Sequence, residues 1–109
     1  MAPEELRYAL LKAIETEPET NQRSLSAELG VSVGRVNAGL RQLVDCGLLV
    51  ITERGPGRAQ RYDISPLGRA EQTVLARVFI KRKQDQREQL RREIEALRAD
   101  LATNKQQMG

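Results

Sequence analysis

The sequence has no histidine, no tryptophan and a single cysteine, Cys46, in 109 residues. Triads with a histidine base, His or Cys zinc clusters and disulfide frameworks are therefore excluded. Aromatic side chains make up 3% of the chain, namely Tyr8, Tyr62 and Phe79, too few for an aromatic-rich sandwich or for a pocket signature that would name a small-molecule effector. No apolar run approaches the roughly 20 residues needed to span a bilayer. The N-terminus also lacks the basic-then-apolar layout of a secretion signal, so the expectation is a cytoplasmic chain with no membrane partner. No pair of carboxylates shares an apolar face and no lysine closes a glycine-rich phosphate loop. An enzyme is accordingly not expected, and no catalytic residue, metal or cofactor is assigned.

What is present is 39% hydrophobic and 30% charged, enough for one lean core of Leu, Val, Ile and Ala plus an appendage. The net charge of +3 is unevenly spread. Residues 1–19 set Arg7 and Lys12 against Glu4, Glu5, Glu15, Glu17 and Glu19. Residues 20–63 are basic through arginine alone: Arg23, Arg35, Arg41, Arg54, Arg58 and Arg61. Beyond them ten basic side chains face six acidic ones along a highly charged tail.

Pro3 near a first helical position, with Glu4 and Glu5 behind it, opens a helix whose apolar side is Leu6, Leu10, Ala13 and Ile14, ending at about Glu17 before Pro18. Asn21 caps a short second helix with Leu25 and Leu29 on its inner side, stopped by Gly30. Ser32 caps a third, placed at 32–46, with Val36, Leu40, Leu43 and Val44 inward and Gly47 as its end. The small Ser26, four residues before Gly30, lets the second and third helices cross closely. The period then changes. Leu48–Thr52 and Arg61–Ile64 read as two strands around Gly55-Pro56-Gly57, a β-hairpin with a long loop.

Ser65 and Pro66 restart a helix that nothing but Gly68 interrupts as far as about Lys105. In its far half Leu90, Ile94, Leu97 and Leu101 are spaced four, three and four, as d and a positions of a heptad repeat. Arg91 and Arg98 then fall at e, Glu93 and Asp100 at g, so a parallel pair opposes Glu93 to Arg98 of the partner subunit while an antiparallel pair opposes like charges. Ile at a with Leu at d also favours two strands, and a parallel homodimeric coiled coil is expected. Lys83 and Arg87 fall on the seam upstream, making Lys81–Gln89 a poor zipper. The alternative is a solvated single helix held by pairs such as Glu88 with Arg92. The fold class is thus mainly α with a small β-hairpin: a winged helix-turn-helix over 1–66, a long dimerising helix over 67–105 and a disordered tail over 106–109.

Helix, helix, turn, helix and a basic-tipped hairpin point to nucleic acid. On a helical wheel the outer side of the third helix carries Gly34, Arg35, Ala38, Arg41, Gln42 and Asp45, with Asn37 on a flank. Gly34 and Ala38 are small enough for close approach to a major groove, and Ala38 can meet a thymine methyl. Arg35, Asn37 and Arg41 suit guanine or adenine edges, and the sequence does not decide which of them reads bases. Gln22, Arg23 and Ser32 stand at helix N-termini, where phosphates are held. Arg54, Arg58 and Arg61 frame the wing, 54–61, and suit adjacent backbone or minor groove. Singly each arginine is an ordinary surface charge; the expectation rests on their falling on two neighbouring surfaces. Cys46 reads as a small core filler, with a redox switch as its alternative.

The run QRSLSAELGVSVGRVNAGLRQLVDCGLL, followed by SPLG, FIKRK and a charged helix ending in EIEAL, resembles the MarR-type winged-helix regulators associated with exopolysaccharide gene clusters. The resemblance spans about Glu4 to Leu101. It implies a bacterial transcriptional regulator that binds double-stranded DNA, usually as a homodimer. The chain departs from the pattern in a shorter, more basic hairpin, RGPGRAQ, and in reading QDQREQL after FIKRK where an aromatic is expected. A reading from another class is a winged-helix interaction module whose coiled-coil tail recruits a different protein.

Overall fold

The computed structural model describes residues 1–57 and 59–108, the side chains of 106–108 excepted. Its elements are α1 (Pro3–Thr16), β1 (Glu19–Thr20), α2 (Gln22–Leu29), α3 (Val33–Asp45), β2 (Leu49–Thr52), β3 (Gln60–Ile64) and α4 (Pro66–Met108). They form two compact units, Met1–Ala76 and Arg77–Gly109. Among the described residues no helix is long and apolar enough to cross a membrane.

In the first unit, local chemistry fixes the helix ends. Pro3 and the carboxylates of Glu4 and Glu5 open α1, which buries Leu6, Leu10, Leu11, Ala13 and Ile14. The Asn21 side chain accepts from the N–H of Ser24 at 2.8 Å and caps α2. Gly30 closes that helix at φ 68°, the left-handed turn that glycine adopts without strain. The Ser26 hydroxyl donates to the Val31 carbonyl, so its small size serves the turn as well as the crossing. Ser32 accepts from the N–H of Arg35 at 3.2 Å, and α3 follows with Val36, Leu40 and Leu43 buried. These side chains, with Leu25, Leu48, Leu49 and Tyr62, make one core. Gly39 lets α1 and α3 approach: a Cβ there would lie 2.7 Å from Cδ1 of Leu10.

The sheet has three strands in the order β1-β3-β2, where the sequence predicted two. β2 and β3 pair antiparallel from Leu49 with Ile64 to Thr52 with Arg61, and Glu19 and Thr20 of β1 add to the other edge opposite Arg61 and Gln60. Two residues carry no alternation, so β1 was invisible to a periodicity argument. The Tyr62 N–H donates to the Pro18 carbonyl at 2.8 Å and extends the same edge. Tyr62 itself is 2% exposed; burial pushes its phenol pKa up, and the hydroxyl donates to Gln60.

The start of α4 belongs to this unit. Ser65 accepts from the N–H of Gly68 at 3.0 Å and donates to the Gly47 carbonyl at 2.6 Å. Gly68 lies under the Leu48 carbonyl, where a Cβ would collide. Leu75 is buried, Arg7 pairs with Glu71 at 3.3 Å, and Gln72 donates to Glu15 at 2.8 Å. The winged unit therefore reaches Ala76 rather than the residue 66 expected from the change of period. A helical period cannot reveal where a continuous helix leaves its core.

In the second unit, the helix is laced by i,i+3 and i,i+4 pairs: Lys81 with Asp85 at 2.8 Å, Arg91 with Glu88 at 2.8 Å and with Glu95 at 3.3 Å, and Arg92 with Glu88 at 3.5 Å. It continues to Met108, into the segment read from sequence as a disordered tail over 106–109; Gly109 lies outside the described residues.

Candidate nucleic-acid interface

The outer side of α3 is solvent-exposed, with the chain from Met1 to Arg7 bordering it along Arg35, Ala38 and Gln42. Gly34, Arg35, Ala38, Arg41, Gln42 and Asp45 are exposed and Asn37 is half-buried, as the wheel requires. At Gly34 a Cβ would meet nothing within 4 Å. This surface is flat where Gly34 and Ala38 lie and carries an unpaired guanidinium, since no ion pair or hydrogen bond engages Arg41 among the described residues. Arg23, exposed at the start of α2, is likewise unpaired.

Most of the other candidates are held by intramolecular partners, and of these contacts only the Ser32 cap was legible in the sequence. Arg35 Nη2 donates to the main-chain carbonyl of Met1 at 2.6 Å, which ties the chain before α1 to the flank of α3. Gln22 Nε2 donates to Asn37 Oδ1 at 3.0 Å, joining the first residue of α2 to the opposite flank. Ser32 is engaged as the α3 cap. On the wing, Arg54 pairs with Glu19, and Arg61 lies 3.7 Å from Glu19 and 3.1 Å from Asp63. Arg58 lies outside the described residues. The acidic partner comes from β1, so the same short strand that escaped the periodicity argument puts a carboxylate between two wing arginines.

Between the start of α2 and the wing lies an open cleft of about 610 Å³, lined by Asn21, Gln22, Arg23, Ser24, Val33, Gly57, Ala59 and Gln60. It takes in the N-terminal turn of α2, where N–H groups lack helical acceptors and the dipole is positive. Cys46, expected as a core filler, is exposed instead, because it ends α3 after the buried face has turned away.

A three-helix unit with its third helix bare on one side and a sheet beside it defines a class, the winged helix-turn-helix proteins. Residues 3–50 match a family model described as winged helix-turn-helix DNA-binding. Among solved structures, the chain is similar to the PcaV transcriptional regulator from Streptomyces coelicolor, at 25% identity and TM-score 0.62 over 72% of this chain and 56% of that one. It is also similar to the transcriptional repressor CouR bound to a 23-mer DNA duplex, at 27% identity and TM-score 0.61 over 88% and 70%. The transcriptional regulator BldR from Sulfolobus solfataricus shares the fold at 21% identity and TM-score 0.63 over 73% and 58%. No curated protein sequence matches the chain. The chain spans little more than half the length of the PcaV regulator it matches. Its fold is the winged helix-turn-helix, matched by the family model over residues 3–50, and it shares that fold with a MarR family transcription regulator at 19% identity and TM-score 0.58.

Proposed function

We propose that this chain is a sequence-specific DNA-binding transcriptional regulator that acts as a homodimer. The observation that carries the reading is the outer side of α3: small at Gly34 and Ala38, exposed along its length, and cationic and unpaired at Arg41 among the described residues. A helix of that shape fits a major groove, Ala38 and Arg41 facing base edges and Asn37 beside them. Arg23, the α2 N-terminus and the Ser32 cap fit phosphates that set the register. Arg54 and Arg61, with Arg58 in the same loop, serve the adjacent backbone or minor groove once phosphates replace their carboxylate partners. Likeness to a transcriptional repressor bound to a 23-mer DNA duplex supports this choice over an interaction module.

Dimerisation through α4 is part of the proposal. Leu90, Ile94, Leu97 and Leu101 are 57%, 48%, 66% and 58% exposed in the single chain, a continuous apolar stripe on an otherwise charged helix. Two copies in parallel bury it and give one α3 per half-site of a two-fold operator.

The test is fluorescence anisotropy of the full chain on duplex from its own upstream region and on a shuffled duplex, at about 50 and 200 mM salt. Binding at least about a thousandfold tighter to the native duplex, steeply weakened by salt, is expected. Absence of binding at low salt overturns the proposal.

A further inference from the structure

Asn37 stands on the flank of α3 that faces α2, beside Ala38 and one turn before Arg41. Its carbonyl oxygen is engaged by α2: Oδ1 accepts from Gln22 Nε2 at 3.0 Å. The oxygen and nitrogen of a planar amide diverge, so with Oδ1 turned to α2 it is the Nδ2 group that is left for the groove. Asparagine pairs with adenine by offering both atoms at once, Oδ1 to the N6 amino group and Nδ2 to N7. Here the bond from Gln22 already takes one of the two Oδ1 lone pairs and sets the rotation of the amide, so bringing both atoms into register with adenine must bend or break that bond. We infer that Gln22 is a specificity-determining residue that acts through Asn37, fixing it as a donor so that α3 favours guanine over adenine at one position of its half-site.

The inference rests on α3 reading DNA as proposed above and adds which atom does the reading. Guanine presents N7 and O6, two acceptors, to a donating Nδ2, whereas adenine presents its N6 amino group beside N7 and cytosine presents only an amino group. Gln22 is suited to holding Asn37 because its own backbone is fixed as the first residue of α2, capped by Asn21, and its side chain is half-buried. Arg41, with no partner of its own, is unconstrained in this way. The pairing also changes the role of Gln22 from phosphate contact to positioning residue.

Substitution at Gln22 separates this role from a structural one by moving a base preference rather than an affinity. Gln22→Glu supplies only acceptors, so Asn37 must turn Nδ2 toward it and present Oδ1 outward, which suits the amino groups of adenine or cytosine. Gln22→Ala releases the amide and permits the two-point contact with adenine. The experiment is selection from a randomised duplex library with the full chain as wild type, Asn37→Ala, Gln22→Ala and Gln22→Glu, followed by competition between matched duplexes. Asn37→Ala identifies the position by erasing preference there alone. At that position wild type is expected to favour guanine over adenine by about tenfold, Gln22→Ala to lose that preference and Gln22→Glu to reverse it. Because each figure is a ratio between duplexes bound by one variant, partial unfolding cancels. A consensus whose Asn37-dependent position keeps the same base in both Gln22 variants, or favours adenine in wild type, overturns the inference alone. A consensus indifferent to Asn37→Ala does the same. No enrichment by wild type overturns the DNA reading of α3 and the inference with it.

Discussion

Two arginines of the wing share one carboxylate. Glu19 is about half exposed, as is Arg61, and exposed pairs of this kind contribute about 0.2–1 kcal/mol, small enough for a phosphate to displace. Glu19→Gln should therefore leave folding nearly unchanged while freeing Arg54 for DNA, Arg61 keeping its pair with Asp63. Each additional phosphate contact steepens the logarithmic salt dependence by about 0.9, so the slope measured by anisotropy between about 50 and 200 mM should grow by roughly 1. An unchanged slope would mean that the wing does not reach the backbone. Two glycines make an opposing pair. Gly68→Ala pushes a Cβ into the Leu48 carbonyl, a backbone atom that cannot rotate aside, and should cost about 1–3 kcal/mol in urea unfolding. Gly34→Ala meets open space on a helix and should be neutral or stabilising by up to about 1 kcal/mol, yet weaken DNA binding, because the added methyl stands between α3 and the groove floor. Only a helix whose outer side is functional shows that split between stability and binding.

At the scale of the element, α4 is one helix under two regimes. Its first turns are fixed by packing, through Gly68 and Leu75, and by the Glu15–Gln72 bond, which with Lys12 holds the Glu15 carboxyl below its ordinary value. Beyond Ala76 every described side chain is exposed or at most half-buried, and the helix depends on charge pairs and on its apolar stripe. There the hydrogen bond from Arg91 lowers the pKa of Glu88 from 4.5, and Arg92 and Arg87 act in the same direction. A carboxyl lowered on folding contributes stability that is fully present above its unfolded pKa and is lost as pH falls through the folded value. Circular dichroism at 222 nm should accordingly show helix loss beginning below about pH 4.5, and Glu88→Gln should flatten that part of the titration. Equal titration of wild type and variant would remove Glu88 from the account.

For the whole molecule, net charge of +3 is small for a ligand of DNA, and three of the candidate arginines outside the wing loop tip spend their charge on internal partners or a carbonyl. In the proposed dimer two copies act together on DNA, and the α4 stripe is the surface proposed to join them. Leu97→Asp removes the most exposed member of the stripe and puts a charge on the seam. Sedimentation equilibrium should move from dimer to monomer, with operator affinity falling by tenfold or more as the second half-site contact is lost, by the usual gain from linked binding. A dimer that survives would place the interface elsewhere. The proposed parallel arrangement would set Glu93 beside Arg98 of the partner subunit, and Arg98 has no partner within its own chain among the described residues.

Sequence alone determined what is encoded over a few neighbouring residues: the caps at Asn21, Ser32 and Ser65, the left-handed stop at Gly30, the inward stripe of α3 and hence its outer one, and the spacing of Leu90 to Leu101. Each follows from a helical period or from a hydrogen bond spanning three or four residues, and each was legible with no knowledge of the fold. Tertiary structure decided which of the candidate side chains are free. The Gln22–Asn37 bond, the Arg35–Met1 contact, Glu19 between two wing arginines and Gly68 beneath Leu48 join residues that stand 15 or more apart in the chain. No period or cap records such meetings, because they exist only when the core has brought separate elements together. The sequence could therefore nominate a basic surface, and only the packed chain could show that, among the described residues, its Arg23 and Arg41 are unpaired and that Asn37 Oδ1 is bonded to Gln22.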